Sequence, residues 1–315
     1  MSTQSEQVLE NKMIAQLVSL GYERVVLSDE AAVLANLKRQ LEKHNQTSFS
    51  DREFQNILHH LNKGTVFDRA HTLRGRFEVV KEDGSTEYIR FLNQEHWCQN
   101  EYQVSNQITI FGRRKNRYDV TLLVNGLPLC QIELKKRGVE IKKAFDQINR
   151  YHRDSFPACY GLFQYVQIFC ISNGVNSMYY SNNKWQSIKQ TSYWTDEQNK
   201  RISNLDDFTQ RFLEPCHLSK MICHYIVLNQ SLKILMVLRP YQFYAVETIL
   251  KLVKESTQNG YIWHTTGSGK TLTSFKASQL IAELPEVHKV LFVVDRNDLD
   301  YQTQREFNHF AEGST

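Results

Sequence analysis

Leu9, Met13, Ile14, Leu17 and Val18 recur at helical spacing and stop at Gly21, which predicts an amphipathic first helix closed by a glycine. A second helix is expected over 30–43, and the helical period returns over 51–70. From Thr72 to Asn93 the pattern turns strand-like, with Phe77 to Lys81 and Tyr88 to Leu92 flanking Asp83-Gly84, a hairpin signature. Between 103 and 171 the chain reads strand, strand, strand, helix, strand, over 107–111, 119–124, 129–134, 141–154 and 166–171, an α/β unit. Residues 205–235 read as mostly helical. At Leu238 a new composition begins, ending in two short β-like runs with a glycine-rich loop after the first. This places a domain boundary near residue 236, giving domains 1–236 and 237–315, with no internal repeat and no low-complexity segment.

At 315 residues and 41% hydrophobic content the chain can build two cores, which excludes disordered and fibrous classes. A net charge of +4 is too mild to argue for nucleic acid by itself, so the location of charge matters more than its sum. The cysteines at 98, 130, 159, 170, 216 and 223 form no Cys-x-x-Cys pair and no zinc-ligand cluster, and are expected to be free thiols of a reducing compartment. The polar N-terminus lacks a signal-peptide core and no apolar run approaches a membrane span, so a cytoplasmic protein without membrane contact is expected.

The first concentration of chemistry is Arg117 to Lys135, two apolar strands around Asn125-Gly126 with acids at the open end. A two-residue loop would send Asp119 and Glu133 to opposite faces. A three-residue loop, Val124-Asn125-Gly126 with Gly126 left-handed, or an equivalent bulge, is expected instead, putting Asp119 opposite Glu133 with Lys135 on the same face. Two converging carboxylates suit Mg²⁺, which keeps several waters, and a neighbouring lysine can orient the attacking water or stabilise the phosphate's developing charge. Spacing alone also admits a solvated strand end whose charges pair with each other. Gln147 and Tyr151 follow at i and i+4 on one helix face. Arg113, Arg114, Lys115 and Arg117 precede Asp119, while Lys136, Arg137, Lys142 and Lys143 follow the second strand; these flanking cations are candidates to hold DNA phosphates.

The second concentration is Tyr-Ile-Trp-His-Thr-Thr-Gly-Ser-Gly-Lys-Thr, Tyr261 to Thr271, before a predicted helix over 272–281. Gly267, Ser268 and Gly269 form a loop whose backbone N–H groups can approach phosphates, Lys270 reaches the terminal ones, and the Thr271 hydroxyl is placed for Mg²⁺. His264 stands where the strict pattern has glycine.

Asp119 followed at hairpin distance by Glu133-Leu134-Lys135 resembles the restriction-endonuclease-like (PD-(D/E)xK) fold, with Tyr118 in place of the usual proline. The Gln-x-x-x-Tyr helix is similar to that of RecB-like nucleases, and Glu10 resembles an upstream acid these enzymes add to the metal site. His264 to Thr271, Leu238-Arg239-Pro240-Tyr241-Gln242 and Arg296-Asn297-Asp298-Leu299 resemble three motifs of superfamily 2 helicases: the phosphate loop, the Q motif and the DNA-contacting motif Ia. In the Q motif the glutamine, here Gln242, hydrogen-bonds adenine, and motif Ia makes Arg296 a DNA-contact candidate. Together these motifs look like the restriction subunit (R, or HsdR) of a type I restriction-modification enzyme: a nuclease domain followed by the beginning of a RecA-like ATP-binding translocase. The resemblance implies Mg²⁺, ATP, double-stranded DNA, and methylation and specificity subunits as partners. It also implies that this length, lacking a second RecA-like lobe, hydrolyses ATP poorly. A non-catalytic DNA-binding or assembly module, and a standalone defence or repair nuclease-helicase, are the alternatives.

Overall fold

The computed structural model describes residues 5–183, 186–294 and 297–310, with main chain alone for 297–303. Two compact units emerge: residues up to Trp194 together with Ile202–Cys223, and Thr195–Arg201 together with the chain from His224 onward.

In the first unit, helix α1 (Glu6–Ser19) is capped by the Ser5 side chain and buries Leu9, Met13, Ile14 and Leu17, with Glu10 buried beside them. Short strand β1 (Glu23–Arg24) leads to helix α2 (Glu30–Asn45). The helical period over 51–70 resolves into two helices, α3 (Asp51–Leu61) and α4 (Val66–Arg74), because Gly64 is left-handed and Thr65 opens α4 with a capping box to Asp68. The expected hairpin follows as β2 (Arg76–Val80) and β3 (Thr86–Arg90).

Strands β4 (Tyr102–Phe111), β5 (Lys115–Val124) and β6 (Leu127–Leu134) are followed by helix α5 (Lys142–Asp154), then β7 (Ile168–Ser172) and β8 (Ser177–Ser181). The central sheet is mixed, ordered β1-β4-β5-β6-β7-β8, with β1 parallel to β4, β6 parallel to β7 and the other pairs antiparallel. Every residue of β6 and β7 is buried, so the core is thickest where these neighbours run side by side and α5 crosses between them. A small ribbon of β9 (Trp194–Thr195) and β10 (Arg201–Ile202) precedes helices α6 (Leu205–Phe212) and α7 (Pro215–His224). Cys98 and Cys216 are joined by a disulfide, which corrects the expectation of six free thiols: residues 118 apart in sequence are brought to a Cα separation of 4.7 Å.

In the second unit the helical reading of 205–235 fails at its end. The apolar, β-branched runs β11 (Ile226–Asn229) and β12 (Ile234–Val237) pair as an antiparallel hairpin, because each satisfies the other's backbone. Helices α8 (Pro240–Glu255), α9 (Lys270–Ala282) and α10 (Asn297–Phe310) complete it. The β-like run expected before the glycine loop is not a strand, and neither is the one expected over 290–295 in its described residues 290–294, residue 295 lying outside the described residues. An apolar run becomes a strand only against a partner edge, and the described residues of this unit place none beside them; Trp263 and Val293 are accordingly almost fully exposed. Among the described residues, no helix is long and apolar enough to cross a membrane.

Candidate active site

Asn125 and Gly126 both have positive φ, 50° and 80°, as a two-residue hairpin turn requires. The loop is therefore shorter than expected, and it pairs Val124 with Leu127 and Leu123 with Pro128. A bulge then shifts the register so that Leu122 faces Cys130 and Val120 faces Ile132. One step further sets Asp119 beside Glu133. A three-residue loop at 124–126 would have put Asp119 across from Gln131, so the bulge, and not the loop, brings the two acids level.

The carboxylates are tied in from several sides. Asp119 Oδ2 accepts the Leu134 N–H at 2.8 Å. Lys135 Nζ donates to Glu133 Oε1 and to the Leu134 carbonyl, both at 2.8 Å. Tyr151 reaches in from α5, its hydroxyl 3.2 Å from Glu133 Oε2 and 3.1 Å from the Arg117 carbonyl, and Gln147 donates to that same hydroxyl. Tyr118 lies edge-on to Tyr151 at 4.8 Å and donates to Ser155 Oγ, so the residue in the usual proline position packs the floor of the site. Glu10 arrives from α1 and accepts from the side-chain amides of Asn106 and Gln107. Gln107 stands between the Asn106–Val120 and Ile108–Tyr118 pairs, level with Asp119, with φ of 58°.

Charge is concentrated here against the preference of a buried environment. Burial pushes Glu133 well above the carboxylate range, the Asp119 charge pushes it further, and Lys135 pulls the other way. Burial also raises Asp119, opposed by the Leu134 N–H and Lys135. Glu10 is raised by burial and by Asp119, with its two amide donors opposing. The pocket is thus short of positive charge. Gln107 Oε1 is buried with no hydrogen-bond partner beside this cluster. Hard oxygens, excess negative charge and an unsatisfied carbonyl fit a divalent cation. Among the described residues no three His, Cys, Asp or Glu side chains form a cage, so an ion held by Asp119 and Glu133 would complete its shell with water and phosphate.

Arg113, Arg114, Lys115 and Arg117 are exposed around the β4–β5 turn, Lys136 and Arg137 are exposed between β6 and α5, and Lys142 and Lys143 are exposed at the start of α5.

In the second unit, Gly267 and Gly269 are left-handed with φ of 75° and 79°, and Lys270 begins α9 with its Nζ 3.2 Å from the Thr265 carbonyl. Thr271 follows in the first turn. Gln242 is buried at the start of α8: its Oε1 accepts the Arg239 N–H at 3.0 Å, and its Nε2 lies 3.4 Å from the carbonyls of Ser268 and Gly269. It braces the loop, and both ends of its amide have partners within the protein. Arg296 lies outside the described residues.

Residues 3–188 match the family model described as "Type I restriction enzyme R protein N terminus". The chain belongs to the type I restriction enzyme endonuclease-subunit family. Residues 241–315 match the "SWI2/SNF2 ATPase" model, so this family member carries an ATPase-like segment after its first unit. It is 48% identical over 99% of its length to the "Type I restriction enzyme SsaAORF53P endonuclease subunit" of Staphylococcus saprophyticus, and spans 34% of that protein. It is 47% identical over its whole length to the SauMSSORF170P endonuclease subunit of Staphylococcus aureus, again spanning 34% of the relative. Against the EcoprrI endonuclease subunit of Escherichia coli the identity is 39%, over 81% of this chain and 84% of the relative. The chain thus spans about a third of the length of its staphylococcal relatives.

The structure brings Glu10, Asp119, Glu133, Lys135, Gln147 and Tyr151 into one connected cluster. Sequence reasoning missed Asn106, Gln107 and the Leu134 amide. Nothing in a strand's sequence announces that one residue will leave the β conformation, and a main-chain donor has no residue signature.

Proposed function

We propose that this family member is a Mg²⁺-dependent DNA endonuclease with a restriction-endonuclease-like site, coupled in the full-length protein to an ATP-driven, RecA-like translocase. Asp119 and Glu133 would hold the ion, which when bound would supply Lewis acidity and activate an attacking water at neutral pH. Lys135, held by Glu133 and the Leu134 carbonyl, orients that water and stabilises charge developing on the phosphate. Tyr151 and Gln147 fix the Glu133 carboxylate, Glu10 extends the acidic cluster, and the exposed cations at 113–117 hold DNA backbone. Lys270, Thr271 and the Gly267–Gly269 loop hold the phosphates of ATP. Methylation and specificity subunits and double-stranded DNA are the partners, in the cytoplasm.

The observation that carries this reading is the pairing of half-buried Asp119 with fully buried Glu133 beside Lys135. An exposed strand end would leave its acids in water, whereas Glu133 is 0% exposed and raised in pKa, an arrangement that costs stability unless a cation uses it. The test is nicking of supercoiled plasmid with Mg²⁺ or Mn²⁺, comparing wild type with Asp119→Ala and Lys135→Ala, in this chain and in the full-length subunit assembled with its partners. Cleavage lost in both variants supports the nuclease. Wild-type cleavage equal to that of both variants in the assembled complex overturns it in favour of a docking module.

A further inference from the structure

Beside the phosphate loop lies a cavity of about 320 Å³, lined among others by Glu197, Asn199, Tyr241, Tyr244, Trp263 and Ser268. Its walls come from three stretches of one unit: the first turns of α8, the approach to the glycine loop, and the ribbon 195–201. That ribbon packs with the chain from His224 onward although its flanking residues, Trp194 and Ile202, belong to the other unit. The Tyr244 hydroxyl donates to the Thr195 carbonyl at 2.9 Å, and the Tyr241 hydroxyl donates to the Ser268 carbonyl at 2.7 Å, so two aromatic walls are pinned, one to the ribbon and one to the loop. His264 lies edge-on to Tyr241 at 5.9 Å.

We infer that this cavity takes the purine ring of the nucleotide, and that Glu197 and Asn199 select the base. This rests on the reading of Gly267–Thr271 as an ATP phosphate site. A volume of this size, in which the rings of Tyr241 and Tyr244 stand among polar side chains, suits a flat heterocycle with a hydrogen-bonding edge. The polar edge of the base needs readers, and Gln242, expected from its motif to be one, already has partners at both ends of its amide. Glu197 and Asn199 are the polar side chains that the ribbon brings to the cavity. A carboxylate accepts from the exocyclic amine of adenine and is repelled by the carbonyl oxygen that guanine carries at that position. An asparagine amide can donate to a ring nitrogen. The ribbon thus makes a specificity element out of residues that sequence order places with the nuclease half.

The test is equilibrium binding of ATP, GTP and inorganic tripolyphosphate to this chain and to Glu197→Ala, Asn199→Gly and Lys270→Ala. Glu197 and Asn199 are exposed, and because Asn199 is left-handed with φ of 61° it is replaced by glycine, which accepts that conformation, so both truncations leave the ribbon intact. Wild type is expected to prefer ATP over GTP by about tenfold or more, and Glu197→Ala to bring that preference to about threefold or less, with tripolyphosphate affinity unchanged. Asn199→Gly weakens ATP and leaves tripolyphosphate unchanged, whereas Lys270→Ala weakens all three ligands. Equal wild-type affinities for ATP and GTP, or a preference that survives both ribbon substitutions while tripolyphosphate still binds, overturns the inference alone. Failure of wild type to bind either ATP or tripolyphosphate overturns the phosphate-loop reading and the inference with it.

Discussion

Tyr151 and Glu133 lie on a helix and a strand 18 residues apart, and the tyrosine hydroxyl meets one carboxylate oxygen at 3.2 Å while Lys135 holds the other. A glutamate fixed at both oxygens cannot swing, so its direction toward an ion is set before any ion arrives. Tyr151→Phe keeps the ring and its edge-on packing with Tyr118 but removes the hydroxyl from Glu133 and from the Arg117 carbonyl. The loss of about 1 kcal/mol of orientation predicts a roughly fivefold to tenfold slower cleavage rate with little change in DNA affinity. Single-turnover cleavage measured beside a binding titration checks it; an unchanged rate would remove Tyr151 from the site.

The same cluster stores instability. Glu133 is buried close to Asp119, and both are raised in pKa, so at neutral pH without a cation the folded state carries charge it does not favour. Glu133→Gln is therefore expected to raise Tm by a few degrees in the presence of a chelator and to abolish cleavage. Added Mg²⁺ should raise the Tm of wild type and leave that of the variant unmoved. A variant that melts lower than wild type in chelator would show that the carboxylate is a structural partner and not a ligand.

The level pairing of the acids was only half legible. Asn125-Gly126 between apolar runs announces a hairpin, and the need for Asp119 and Glu133 to share a face announces an irregular register. Which irregularity supplies it does not follow, because a bulge between Leu122 and Leu123 and their partners leaves no residue signature. The Gln147–Tyr151 pair was readable from helical spacing, whereas Gln107 was not: its left-handed φ of 58° interrupts a strand without any residue signature. In the second unit the glycine loop was read in place, but apolarity alone could not say whether the runs beside it find partner strands. The ribbon at 195–201 was invisible because its neighbours in space are distant in sequence.

The tight hairpin also makes a stability test. Gly126 has φ of +80°, and a Cβ there would stand 2.9 Å from Gln40 Cβ and 3.0 Å from Leu37 Cα on α2. Gly126→Ala thus meets backbone strain and a clash with a helix at once, and a loss of about 2 kcal/mol or more is expected. Denaturant unfolding measures it. A loss below about 0.5 kcal/mol would mean that α2 does not press on the turn.

A pH dependence follows from His60, which stacks on Phe77 at a centroid distance of 3.9 Å and whose pKa is lowered by burial and then by Lys63. A histidine with a depressed folded pKa contributes stability above its unfolded value of 6.5, and that stability is lost as pH falls through the lower folded value. His60→Phe keeps the stacking without the titration. The fall in Tm between about pH 7 and pH 5 should be smaller in the variant than in wild type; equal falls would assign the acid sensitivity elsewhere.

The exposed cations before Asp119 separate DNA holding from chemistry. Arg113 is anchored by its main chain, whose N–H donates to the Asp154 carbonyl at 2.7 Å, so its side chain projects from a fixed turn beside the site. Each phosphate contact adds about 0.9 to the slope of log affinity against log salt. Arg113→Ala combined with Lys115→Ala is expected to weaken DNA binding at about 100 mM salt by roughly tenfold and to reduce that slope by nearly 2, equally for all sequences. The cleavage rate at saturating DNA should stay within about twofold of wild type, because neither residue touches Asp119 or Glu133. An unchanged salt slope would mean that these cations are a solvated face, and would move the DNA path to Lys136, Arg137, Lys142 and Lys143, the cations on the other flank of the site.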